Sequence, residues 1–217
     1  LNDAGNQIGA LNGQTKNLTL NNTRDLELGG MNVVGNLNLV NDGDVTNSGH
    51  LYLNGTTTIN AAGHDVSLDY STNYITGAFS TTAHDLNLRN AGWTTLGATT
   101  LTGNLSLDGG RDITQSAPLN VAGSTTFKTT YRHITLTDTA NDFVGAVNVI
   151  DGNFVQITDK NDLHLGSANQ YTLTAIAGAG GGTPGAGDLY LDAGGHITAG
   201  LFSETPIDAV VLVTGDG

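Results

Sequence analysis

Seven Lys and Arg stand against 20 Asp and Glu in 217 residues, a net charge of −13, with 31 Gly and no Cys. Cations so few and so scattered exclude a phosphate-backbone partner and a polybasic membrane contact. The missing cysteines exclude disulfides and thiolate metal sites, and no run of 18 apolar residues supplies a transmembrane helix.

The chain starts with "LNDAGNQIGA" (1–10), which matches "LTDTANDFVGA" (136–146), so it begins in the middle of a pattern that returns later. Residues 17–84 then align without a gap on residues 85–152, with 20 of 68 positions identical. Chance would give about five in so biased a composition. Leu18, Leu20, Leu37, Leu39, Asp44, Thr46 and Ser48 meet Leu86, Leu88, Leu105, Leu107, Asp112, Thr114 and Ser116. A third copy covers 153–217, where "DLYLDAGGHITAG" (188–200) echoes "NLSLDGGRDITQS" (104–116) after a Gly-rich insertion near 176–187. An array normally ends in an atypical cap, and none opens this one. The chain therefore reads as a single segment, 1–217, excised from a longer array.

Within each copy apolar residues alternate over very short runs: Leu18-x-Leu20, Leu37-x-Leu39, Leu51-x-Leu53, Val66-x-Leu68, then Leu86-x-Leu88 and Leu105-x-Leu107, and later Leu163-x-Leu165 and Leu189-x-Leu191. A period of two means strand, one face in and one out. Gly, Asn and Asp between the runs close tight turns. Strands of three to five residues are too short for a stable meander, but they suit a right-handed parallel β-helix, in which each coil bonds to those above and below. The main runs at 86, 105, 134 and 154 imply about three coils per 68-residue copy, the middle one enlarged. Ten or so coils predict a rod of about 45–50 Å. A β-sandwich explains the alternation and the turns but gives no reason for an ungapped repeat.

The phrases "NLSLDGGRDITQSAPLNVAGSTTF" (104–127), "HITLTDTANDFVGAVNV" (133–149) and "DLYLDAGGHITAG" (188–200) resemble the filamentous-haemagglutinin-like exoproteins, the large adhesin passengers of bacterial two-partner secretion. That resemblance implies a β-helical shaft, secreted or held at the bacterial cell surface. It also implies export through an outer-membrane partner recognised by an N-terminal domain that this segment lacks, and a role in attachment, aggregation or biofilm. Its receptor would be a host-surface or matrix glycan or protein.

Few residues offer chemistry. "GHD" (63–65) and "AHD" (83–85) look like His-Asp dyads, yet no Ser is singled out to complete a triad. His50, His133, His164 and His196 show no metal-ligand spacing, and Asp42 and Asp44 lack the further oxygens of a calcium loop. Neither metal, cofactor nor catalytic residue is expected. The competing function is a carbohydrate-active β-helix enzyme, a lyase or hydrolase, which would need clustered carboxylates that the sequence leaves scattered. Two positions break the repeat as ligand contacts would: Trp93, which replaces Asp25 of the preceding copy, and Tyr190, placed outward between two inward Leu beside the Gly-rich insertion.

Overall fold

The computed structural model describes residues 1–177 and the strands Leu189–Leu191, Ile197–Ala199 and Val210–Val213. Among the described residues every strand pairing is parallel and no helix occurs. The chain winds as a β-solenoid of about eight turns. One ladder shows the winding from end to end: Leu26, Val45, Val66, Leu86, Leu105, Thr125, Val147, Leu165 and Leu191 lie in register on successive coils. At about 4.8 Å per coil the eight steps span about 38 Å, shorter than the rod expected from the sequence.

The inward positions of these strands are sealed. Leu39, Val45, Leu68, Leu86, Leu107, Ile113 and Phe127 are buried in one continuous core that runs the length of the described solenoid. Solenoid cores have to satisfy the strand ends as well, and here buried amides do so. The Oδ1 of Asn73 accepts the Leu51 N–H and an Asn47 side-chain N–H, and one copy later Asn141 does the same for Leu119 and Gln115. At one corner Gly35, Gly55 and Gly77 sit one above another, and Gly103, Gly123 and Gly145 follow in the next copy. A Cβ on Gly55, Gly77, Gly123 or Gly145 would collide with the backbone of the coil beneath. Only glycine lets the coils close to hydrogen-bonding distance there, as in Gly123 N–H to Gly103 O at 2.8 Å.

The copy is not a whole number of turns. Leu18, Leu37, Thr57 and Phe79 stack on one face and complete three coils. Beyond Phe79 the chain still has to turn a corner before the copy ends, so that Leu86, the equivalent of Leu18, rests on Val66 and not on Phe79. Successive copies are therefore rotated by one face, about three and a third turns apiece. The enlarged middle coil expected from the spacing does not exist. Leu105 pairs with Thr125, while Ile134 pairs with Ile113 on the neighbouring face. An apolar count passes over Thr125, although it is fully buried and occupies an inward rung.

Candidate interaction surface

Two corners of the solenoid carry the polar and aromatic groups of interest. The first is the corner preceding the long ladder, where Asp25, Asp44, Asp65 and Asp85 fall on four successive coils. Each carboxylate accepts the backbone N–H of the next coil: Asp44 N–H to Asp25 (3.0 Å), Asp65 N–H to Asp44 (3.0 Å), Asp85 N–H to Asp65 (3.0 Å) and Asn104 N–H to Asp85 (2.6 Å). These acids cap a turn that would otherwise leave an N–H unpaired.

The two His-Asp pairs of the sequence belong to this corner, and each His makes its nearest acid contact with the previous coil. His64 reaches back one coil, its Nε2 3.2 Å from Asp42 and its Nδ1 3.9 Å from Asp44. His84 likewise bonds Asp65 of the previous coil at 2.9 Å and lies 3.6 Å from its neighbour Asp85. The hydrogen bond from His84 holds the Asp65 carboxyl below its usual range. Reciprocally, the bond to Asp65, and then the charge of Asp85, raises the His84 imidazole. Asp65, His84 and Asp85 each present one ligand atom, all within 4.8 Å of one another. Sequence spacing could not find this set, because its members come from two coils. The Oδ1 atoms of Asp65 and Asp85 also accept backbone N–H groups, as does that of Asp44.

The second corner precedes the face reached by Thr94. Thr94 pairs with Ile113, Ile113 with Ile134 and Ile134 with Val155. Trp93, Asp112, His133 and Phe154 therefore stand one above another, with Arg111 and Arg132 beside them. Trp93 is 57% exposed, as its replacement of an acid implied, and the Arg111 guanidinium lies over its ring at 4.6 Å. The His133 and Phe154 rings stack at 5.0 Å with planes 6° apart. Below Trp93, Tyr52 and Tyr74 stack at 5.7 Å, and Gly92 packs against the Tyr74 ring, where a Cβ would come within 3.2 Å of it. Tyr52 faces outward between the inward Leu51 and Leu53.

Tyr190 is not part of this corner. Its backbone pairs with His164 on the face of the long ladder, five coils beyond the coil of Trp93, and its side chain lies outside the described groups. So do His196 and residues 178–187 of the Gly-rich insertion. Sequence reasoning reached Trp93 through the mismatch between copies. It missed Arg111, His133 and Phe154, which become neighbours only through the register of successive coils.

A family model described as repeats of unknown function (DUF5649) matches residues 15–82 and again residues 83–150, two abutting stretches that each span one copy. No curated protein matches the chain, and no solved structure matches it.

Proposed function

We propose that this chain, which belongs to the DUF5649 family of repeats of unknown function, is a structural shaft segment of a secreted or cell-surface bacterial adhesin. One observation carries the reading: a single apolar core and an unbroken parallel ladder run through successive copies, so that each added copy extends the same rod. A rod of this kind holds distant parts of a molecule apart and needs no reactive centre of its own. The resemblance of residues 104–127 and 133–149 to filamentous-haemagglutinin-like exoproteins supports placing the rod in a two-partner secretion adhesin, exported through an outer-membrane partner and directed at a surface or matrix receptor.

The test is made in the full-length protein on its native cells. Removing residues 17–152, two whole copies, should leave export and receptor choice intact while reducing reach, read as weaker attachment under flow and a shorter projection in electron micrographs. Purified protein should release no reducing ends from acidic or neutral polysaccharides. Turnover abolished by one carboxylate substitution would replace the shaft with a carbohydrate-active enzyme.

A further inference from the structure

The corner of Trp93 has a counterpart in the preceding copy, and the two have opposite character. Trp93, Arg111, Tyr131, Arg132 and His133 replace Asp25, Gly43, Gly63, His64 and Asp65. Stacking does not demand these changes, and two of them work against it. Asp25 caps the Asp44 N–H, and an indole at 93 cannot accept the equivalent bond from Asp112. Gly63 has φ +83°, and Tyr131 holds a bulky side chain in the same left-handed region at φ +52°. The backbone conformation belongs to the fold, since Gly63 and, one coil beyond Tyr131, Asp151 at φ +57° share it; the departure from the preceding copy is the bulky side chain placed there.

The corner is also electrostatically distinct. Arg89 and Lys128 approach Asp108 and Lys160 approaches Asp142, but Arg111 and Arg132 make no ion pair among the described residues. They lie in register on adjacent coils in a chain of net charge −13. Beside them Trp93 and Phe154 expose 57% and 50% of their surface. Rings and guanidinium groups thus share four successive coils over about 14 Å from Trp93 to Phe154, with the Asp112 carboxylate, which accepts the His133 N–H, in the ring column on the second coil.

We propose that this stripe, formed by Trp93, Arg111, Arg132, His133 and Phe154, binds an anionic polysaccharide laid along the rod. The exposed parts of the rings pack against the apolar C–H groups of the sugars, since the His133 and Phe154 faces cover each other, and the two guanidinium groups take the sugars' carboxylate or sulfate groups. A linear polymer carrying repeated charges fits a row of such groups that runs along the rod axis. Because the copies rotate by one face, the acidic corner of the preceding copy lies along a different edge.

Trp93 is the sole tryptophan, so its fluorescence reports the site directly. The protein is titrated with polygalacturonate, dextran sulfate and neutral dextran. Saturable quenching or shift of the emission by either charged polymer, and none by dextran, is expected. A response to polygalacturonate alone assigns carboxylates, to dextran sulfate alone sulfates, and to both an anionic sugar of either kind. The double variant R111Q/R132Q should weaken binding tenfold or more, whereas K16Q/R24Q, an equal change of charge elsewhere, should leave it unchanged; circular dichroism confirms that both fold. Equal weakening by the two pairs, an equal response to dextran, or no response to any polymer overturns the proposal. None of these outcomes bears on whether the rod is a shaft.

Discussion

Asp159 is a carboxylate where the preceding copy uses an amide. Asn90 accepts the Ile75 and Gly92 N–H groups through Oδ1. Asp159 does the equivalent work one copy on, accepting Phe143 N–H at 2.7 Å and Asn161 N–H at 2.9 Å. The residue is fully buried. Burial pushes its pKa up from 3.8 to about 6, against the two backbone hydrogen bonds; the nearby Asp142 adds to the rise and Lys160 opposes it. Between pH 4 and 6 the folded state therefore keeps a proton that the unfolded chain has released. The contribution is fully present below about pH 4 and is lost as pH rises through 6, worth about 2–3 kcal/mol over the window. Asp159→Asn should flatten that part of the stability profile and make the protein more stable than wild type at pH 8. Urea midpoints measured from pH 4 to pH 8 check it, and parallel profiles for the two proteins would show an ordinary carboxyl.

At the scale of the strand, the legible and the illegible rungs differ in chemistry, not in geometry. Leu86-x-Leu88 and Leu105-x-Leu107 announce their inward faces because apolar residues alternate at period two. Thr57 and Thr125 fill the same inward rungs, fully buried, and read as polar. An apolar count therefore enlarges the coil after Leu105 and hides the fractional turn in each copy. The corner of Trp93 is half legible for a similar reason. A mismatch between copies shows in an alignment at the repeat length, whereas the companions of Trp93 are separated from it by single coils. The threonine rungs also carry a cost, since the hydroxyls of Thr57 and Thr125 are buried without a hydrogen-bond partner. Thr125→Val keeps the shape and removes the unpaired group, and should stabilise by about 1 kcal/mol, seen as a higher melting temperature. Destabilisation would mean that the hydroxyl is satisfied in solution. Leu105→Asp, on the rung below, should have the opposite sign and cost several kcal/mol, because it buries a charge with no partner.

For the molecule as a whole, the question is whether a copy is a unit of stability. Each coil touches chiefly the coils before and after it, so stability should approximate a sum of coil terms and nearest-neighbour interfaces. A copy that turned a whole number of times could be removed in the same orientation. Here removal of residues 17–84 also turns everything beyond it by one face. The new junction is nevertheless already present in the native chain. Strand Ala10–Thr15 pairs onward with Glu27–Val33 just as Ala78–Ala83 pairs with Thr95–Leu101, so Lys16 can lead into Asp85 as His84 does. Residues 95–101 then rest on Ala10–Thr15, while residues 86–88, which rest on Val66–Leu68 in the native chain, take the end position that residues 18–20 hold. The shortened protein should unfold in one cooperative transition with a smaller urea m-value, because about three coils fewer are exposed. Small-angle scattering should show a rod shorter by about 16 Å. A broad or two-step transition would mean that residues on either side of the join are specific to their own copy. The rotation between copies would then be a constraint that each copy is individually tuned to, and not a neutral consequence of a repeat length that the coils do not divide evenly.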